Sequence, residues 1–336
     1  MDSVDAASLH ADPFFDGVLT AVGNTPLVRL SRILPSKEID VYAKLEMANP
    51  GGSGKDRSAL GMLLDGVHNR SVGPSTTIIE SSSGNLGVGL AQACCYLRLR
   101  FVCVVDSRTT PNHIALLKLF GAEVEVVKDP HPVCGGLLAA RLRRVRDLRR
   151  TIPDNYWIHQ HANTSNPRAQ YQLFGEIHQR VGDSWDYVLI AAGTCGTLRA
   201  ARDYVREHQL KTKIVAVDAV GSVIFGSCGG QRLIPGHGAS RRPELYEKGL
   251  EDFCVRVTDR DCVEGCFQLL RREAILAGGS SGAVVTALKR VSSAIAPGST
   301  VVLVLCDRGD RYLDTVFSRS WVEAHFGMEF QPWSDS

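Results

Sequence analysis

The chain has 336 residues, 44% of them hydrophobic and 22% charged, with a formal net charge of +2, the balance of a globular protein long enough for one or two buried cores. So small a charge gives no whole-chain reason to expect nucleic acid or a membrane surface as partner. No apolar run approaches the ~20 residues of a membrane span, and Met1-Asp-Ser-Val-Asp-Ala lacks the basic-then-apolar order of a secretory signal, so a cytoplasmic protein is expected.

In chain order, residues 77–80, 99–106 and 123–127 read as strands, with helices over 86–97 and 114–120 between them. Arg141-Leu-Arg-Arg-Val-Arg-Asp-Leu-Arg-Arg150 reads as a helix with a solvated basic face. In the second half, 187–192, 213–218 and 300–306 are strands of the fully buried type, and 198–207, 263–277 and 282–294 are helical. Continuous apolar strands alternating with helices predict an α/β protein of two three-layer αβα domains with mostly parallel sheets. Ten cysteines are present. Cys94, Cys95, Cys103, Cys254 and Cys306 lie in apolar runs, where a thiol behaves as a small hydrophobe. Cys262 and Cys266 are spaced i, i+4 without a second ligand pair, so no metal site and a reduced protein are expected.

Four glycine-rich turns carry the chemistry. Asn49-Pro-Gly-Gly-Ser-Gly-Lys55-Asp-Arg57 ends in a lysine at a helix start, but a nucleotide-binding P-loop needs glycine at position 49 and Ser or Thr at position 56. A tight turn with a solvated lysine fits the segment, and so does a cofactor-holding lysine approached through glycine backbone. Gly193-Thr-Cys-Gly-Thr197 follows a buried strand and opens a helix, where backbone N–H groups suit a phosphate. Glu80-Ser-Ser-Ser-Gly-Asn-Leu-Gly87 offers donors to a carboxylate or simply caps a helix. Gly278-Gly-Ser-Ser-Gly282 places a neutral hydroxyl before a helix, suited to an unprotonated pyridine nitrogen.

Together with Gly23-Asn-Thr-Pro-Leu-Val28, these turns resemble, in order and over nearly the whole chain, the fold-type II pyridoxal 5'-phosphate (PLP) enzymes, the cysteine synthase and cystathionine β-synthase family. The resemblance implies the architecture of the tryptophan synthase β subunit. It implies a larger PLP-binding domain, 1–53 with 160–336, and a smaller mobile domain, 54–159, that closes on substrate. It assigns Lys55 the Schiff base with PLP and the proton transfers, and Asn85 the cofactor's ring hydroxyl. Gly193, Thr194, Cys195, Gly196 and Thr197 would hold its phosphate, and Ser280 would face its ring nitrogen. Ser82, Ser83 and Gln160 would bind the substrate α-carboxylate, while Leu86 replaces the threonine common in sulfhydrylases. A homodimer acting on small amino acids is implied.

Within that family, Leu233-Ile-Pro-Gly-His-Gly-Ala-Ser-Arg-Arg-Pro243, Asp307-Arg-Gly-Asp-Arg-Tyr-Leu-Asp314 and Tyr156-Trp-Ile-His-Gln-His-Ala-Asn163 are similar to the synthases of siderophore (staphyloferrin B) biosynthesis. Those enzymes join O-phospho-L-serine to L-glutamate through an α-aminoacrylate, giving N-(2-amino-2-carboxyethyl)-L-glutamate, the precursor of L-2,3-diaminopropionate. A phosphoserine substrate brings a leaving group of roughly two negative charges. Arg241 is a planar fork for it, and Arg141 is a candidate for the phosphate or the entering glutamate. Gly193 and His161 stand where those synthases have serine and tyrosine, at positions expected to face the nucleophile. Within the enzyme class the alternatives are a cysteine synthase using sulfide, or β-replacement with another amine such as aspartate. Outside it, the alternative is a non-enzymatic scaffold, which predicts loss of the lysine or of the carboxylate turn.

Overall fold

The computed structural model describes residues 16–34, 38–130 and 136–333; the amino-terminal segment read above for a targeting signal lies outside them. Its strands are β1 (Leu27–Arg29), β2 (Asp40–Leu45), β3 (Thr77–Ser81), β4 (Phe101–Asp106), β5 (Glu123–Val127), β6 (Asn155–Trp157), β7 (Tyr187–Ala191), β8 (Lys213–Ala219), β9 (Phe253–Val257) and β10 (Thr300–Leu305). The helices are α1 (Lys55–His68), α2 (Asn85–Leu97), α3 (Pro111–Leu119), α4 (Leu137–Thr151), α5 (Ser165–Val181), α6 (Gly196–Glu207), α7 (Asp259–Glu273), α8 (Gly279–Val291) and α9 (Arg319–Phe326). The chain divides into two compact units, one of Met1–Gly23 with Asn49–Gln172 and one of Asn24–Ala48 with Leu173–Ser336. Both are α/β, as expected. No helix among the described residues is long and apolar enough to cross a membrane.

The first unit holds a four-stranded sheet in the order β5-β4-β3-β6, parallel throughout. β3 and β4 are buried along their whole length, as strands covered on both faces must be. Because side chains alternate along a strand, Ile78, Cys103 and Val105 pack with Leu60, Leu63, Leu86 and Leu90 of α1 and α2. Ile79, Val102 and Val104 face the other way, onto Val145 and Leu148 of α4. The basic helix behaves as its pattern predicts, with Arg143, Arg146, Arg149 and Arg150 exposed, and Arg141 is its exception. Strand order reverses at β3, with β4 on one side and β6 on the other. In open α/β sheets the carboxyl ends at such a switch point form the ligand crevice.

The second unit holds a six-stranded sheet, β1-β2-β10-β7-β8-β9, in which β1 is antiparallel and every other pairing parallel. Leu189, Val215, Val217, Leu303 and Leu305 pack with Val263, Leu269, Val284 and Leu288 of α7 and α8. Phe174, Trp185 and Tyr204 form a second buried aromatic cluster, with Phe174 6.2 Å from Trp185 and 6.3 Å from Tyr204 between ring centroids. The switch point here falls between β7 and β10.

Several helices begin earlier than their hydrophobic periods suggest, α3 at Pro111 instead of 114 and α6 at Gly196 instead of 198. α7, expected over 263–277, starts at Asp259 because Thr258 and Asp261 form a reciprocal capping box, Asp261 N–H donating to Thr258 Oγ1 at 3.2 Å and Thr258 N–H to Asp261 Oδ2 at 2.7 Å. α8, expected from 282, starts at Gly279. Its first turn touches α7 backbone to backbone: a β-carbon on Gly282 would lie 2.0 Å from the Cys262 carbonyl oxygen. Glycine is required there by this close approach, not by a turn.

Candidate active site

Ser82, Ser83, Asn85 and Gln160 follow the carboxyl ends of β3 and β6 in the first unit, and the 193–197 turn follows β7 in the second. In the first unit, residues 49–54 fold back on the start of α1. Gly51 N–H donates to the buried Asp56 carboxylate at 2.6 Å, and Lys55 N–H donates to Ser53 Oγ at 3.2 Å. Gln170 fastens the turn by donating to Gly54 O and to Ser58 Oγ, both at 2.8 Å. Lys55 is thereby set, half-buried, at the first position of a helix whose next four residues are buried.

The turn from β3 into α2 is held by Ser82, whose Oγ accepts from Gly87 N–H at 3.0 Å. Ser83 is half-buried and its hydroxyl makes no hydrogen bond to a described residue. Asn85 is the first residue of α2. Gln160 lies just past β6, buried, with Nε2 donating to Ser81 O at 3.2 Å and its own carbonyl accepting from Asn166 Nδ2 at 2.9 Å. His161, half-buried, is next in the same turn.

Arg141 leaves the solvated face of α4 and points to the end of β4. Its Nε lies 3.1 Å from Asp106 Oδ2, with side-chain exposures of 12% and 8%, but out of line for a hydrogen bond. No described residue forms a hydrogen bond with Arg141. Burial pulls its pKa down, opposed by the charge of Asp106.

Glu80 is a further buried group of this site that the sequence patterns do not single out. It is 1% exposed and is the last residue but one of β3. Burial raises its carboxyl to about 7, against hydrogen bonds from the backbone of Ser81, Gln160 and His159 and the charge of Arg141. A glutamate ending an apolar strand was the available signal.

In the second unit, the turn from β7 into α6 puts Cys195 in the left-handed region, φ 66°, which a non-glycine residue adopts at some cost. α6 then opens without a side-chain cap from its N-cap residue, Cys195; Gly196 N–H donates to Thr194 Oγ1, and a helix start leaves further first-turn N–H groups for a ligand. Thr194 is buried beside them, its Oγ1 3.4 Å from Gly196 N. Gly236, φ 96°, is wedged between this turn and α8: its carbonyl oxygen lies 3.5 Å from a β-carbon built on Gly193, and its own would lie 3.3 Å from Ser280 Cβ. The next residue, His237, is wholly buried and burial pushes it down to about 4, so it is neutral at pH 7.

Ser280 sits in the first turn of α8, 2% exposed, and its hydroxyl makes no hydrogen bond to a described residue. Ser281 beside it is occupied, accepting from Cys306 N–H at 3.0 Å. A helix start with no side-chain bond from its N-cap residue and a serine hydroxyl with no hydrogen bond to a described residue, on either side of Gly236, fit a phosphorylated pyridine: the first receives a dianion, the second donates to a ring nitrogen. Arg241, on the following loop, is exposed and stands 3.9 Å from Glu244.

Residues 18–307 match the family described as pyridoxal-phosphate dependent enzyme. The chain belongs to this family. Its cofactor is pyridoxal phosphate, and its fold is shared with solved members. It is similar to the O-acetylserine dependent cystathionine β-synthase of Helicobacter pylori, with a TM-score of 0.82 and 28% identity over 89% of this chain and 97% of that one. O-ureido-L-serine synthase matches at 0.83 and 28%, covering 91% and 96%. O-acetyl serine sulfhydrylase isoform 3 of Entamoeba histolytica matches at 0.82 and 28%, covering 89% and 90%.

Proposed function

We propose that this pyridoxal-phosphate enzyme catalyses β-replacement on O-phospho-L-serine, with L-glutamate as the entering amine and phosphate as the leaving group. The product is N-(2-amino-2-carboxyethyl)-L-glutamate, for L-2,3-diaminopropionate synthesis and so for siderophores. The broader class, β-replacement of the cysteine synthase and cystathionine β-synthase type, follows from family membership and the solved relatives. The observation that carries the narrower reading is Arg141, a guanidinium withdrawn from a solvated helix face to the end of β4 with no hydrogen-bond partner in the described chain. A dianionic leaving group needs such a fork; an acetyl group does not.

Bound pyridoxal phosphate supplies an electron sink for the bonds broken at the substrate's α-carbon. Lys55 holds the cofactor and carries the proton from that carbon and back to it. Asn85 orients the ring hydroxyl, Gly193, Thr194, Cys195, Gly196 and Thr197 bind the phosphate, and the Ser280 hydroxyl keeps the ring nitrogen unprotonated. Ser82, Ser83 and Gln160 bind the α-carboxylate. Arg141 and the exposed Arg241 receive the departing phosphate, Arg141 also suiting a carboxylate of the entering glutamate, and His161 and Gly193 border the nucleophile. The smaller domain closes on the substrate and excludes water. The enzyme works as a cytoplasmic homodimer on free amino acids, without nucleic acid or membrane partners.

The O-acetylserine enzymes among the solved relatives favour a second reading, a cysteine synthase using sulfide. One experiment separates the two: O-phospho-L-serine and O-acetyl-L-serine are each offered with glutamate, aspartate and sulfide, and the products are identified by mass. Phosphoserine with glutamate should be the preferred pair. Faster turnover with sulfide refutes the proposal, and a Lys55→Ala protein that still turns over phosphoserine refutes the role of Lys55.

A further inference from the structure

The pairing of β3 with β6 runs from Thr77 with Asn155 to Ile79 with Trp157, and its last backbone bond is Ile158 N–H to Ile79 O at 3.2 Å. Beyond that rung, among the described residues, no backbone bond joins the turn carrying Ser82 and Ser83 to the turn carrying Gln160. The Glu80 side chain continues the ladder in its place. Glu80 Oε1 accepts from Ser81 N–H at 2.8 Å, and Oε2 accepts from Gln160 N–H at 3.3 Å. Gln160 Nε2 returns a bond to Ser81 O, closing a ring of three hydrogen bonds across the gap.

His159 makes this bridge necessary. It adopts φ 54°, left-handed for a non-glycine residue, with its ring stacked 3.9 Å from that of Trp157. That conformation ends the β6 ladder and turns the N–H groups of His159 and Gln160 toward Glu80, where a buried donor without an acceptor costs about 1–3 kcal/mol. The same burial that raises the Glu80 carboxyl excludes water as a substitute acceptor. Among the described residues, Arg141 from α4 and the Cys103 thiol from β4, itself pushed up to about 12, interact with it electrostatically.

We propose that Glu80 is a positioning residue for substrate binding: its carboxyl group fixes the spacing between the Ser82–Ser83 turn and Gln160, and so shapes the subsite for the α-carboxylate. This rests on the reading of Ser82, Ser83 and Gln160 given above. Glu80 acts through those residues and not on the reacting atoms, so it governs substrate binding and leaves the cofactor untouched.

The test compares Glu80→Gln, Glu80→Asp, Ser83→Ala and Gln160→Ala with the wild-type holoenzyme, using O-phospho-L-serine or O-acetyl-L-serine, whichever turns over. Glu80→Gln keeps the shape but offers one N–H where two acceptors are needed. It should raise KM about tenfold, leave kcat within about threefold, and leave the visible absorbance of bound pyridoxal phosphate unchanged. Glu80→Asp, which keeps a carboxyl group on a shorter arm, should fall between, and it replaces the glutamine variant if that protein does not fold. A lowered melting temperature with unchanged KM would make Glu80 a brace of the fold only and overturn the proposal. Should Ser83→Ala and Gln160→Ala raise KM while neither Glu80 variant does, the subsite reading stands and the role of Glu80 fails. If neither Ser83→Ala nor Gln160→Ala changes KM, both fail together.

Discussion

Replacing Glu80 with glutamine should flatten the pH dependence of stability between about pH 4.5 and 7. Burial holds the Glu80 carboxyl at about 7 where an ordinary glutamate sits at 4.5, because lost hydration outweighs the N–H donors around it and the charge of Arg141. The unfolded chain releases this proton near pH 4.5 and the folded protein keeps it to near pH 7. Across that window the folded state binds more protons, so stability falls as pH rises. At ~1.4 kcal/mol per pH unit the gap is worth about 3 kcal/mol. With a urea dependence of roughly 3 kcal/mol per M, that is a midpoint shift of about 1 M. The assay is urea unfolding of both proteins at pH 5, 6, 7 and 8, reading the difference between their midpoints. Histidines and other groups that titrate in the same range are common to both and cancel in the difference. Glutamine should gain on wild type by about 1 M from the lowest pH to the highest. A difference that stays constant would show that Glu80 ionises normally, and the burial argument would fall with it.

Two further changes probe the second unit. Ser280→Ala removes a buried hydroxyl that no described residue satisfies, so the apoenzyme should melt within about 0.5 kcal/mol of wild type. The stabilisation added by pyridoxal phosphate should shrink, and a clear loss in the apoenzyme would contradict the assignment. Gly282→Ala drives a β-carbon to 2.0 Å from Cys262 O and 2.7 Å from Cys266 N, backbone atoms with no room to give. It should cost about 3 kcal/mol or more and lower cofactor occupancy by displacing Ser280. Gly73→Ala, whose nearest neighbour would be Thr76 Oγ1 at 3.9 Å, is the control that should not.

The parts of the molecule legible in the sequence are those where one physical demand acts alone. β4, β7, β8 and β10 are largely buried and carry apolar runs of four residues or more. The glycine turns were visible because close approach and positive φ leave few residue choices. β9 was not, since its burial is partial and irregular, and β1 and β6 are three residues long, too short for a period to show. Cys95, read with its apolar neighbours, is exposed, while Cys94 and Cys103 are buried; one residue along α2 turns the side chain by about 100°, enough to carry Cys95 off the buried face. Glu80 escaped notice because its partners lie about eighty residues away, past the end of a strand with no signature of its own.

Arg141 poses the same difficulty in sharper form, because six arginines in ten residues read as one solvated face and only the fold separates one of them. Two explanations compete for it. As a counter-ion, Arg141 serves Asp106, and deleting it would leave a nearly buried carboxylate uncompensated, at about 3–5 kcal/mol. As a substrate group, it uses Asp106 only as an anchor and presents its remaining nitrogens to phosphate. Arg141→Met alone cannot distinguish them, since it damages the fold on either account. Arg141→Met with Asp106→Asn removes both charges, and asparagine still offers an oxygen to Arg108 N–H, which now donates to Asp106 Oδ1 at 3.0 Å. A counter-ion role predicts that the double variant recovers stability and the KM for O-phospho-L-serine together. A substrate role predicts recovered stability with KM still raised for O-phospho-L-serine and unchanged for O-acetyl-L-serine. The second outcome is expected, because the Nε of Arg141 lies 3.1 Å from Asp106 Oδ2 but out of line for a hydrogen bond, and no described residue forms a hydrogen bond with the guanidinium.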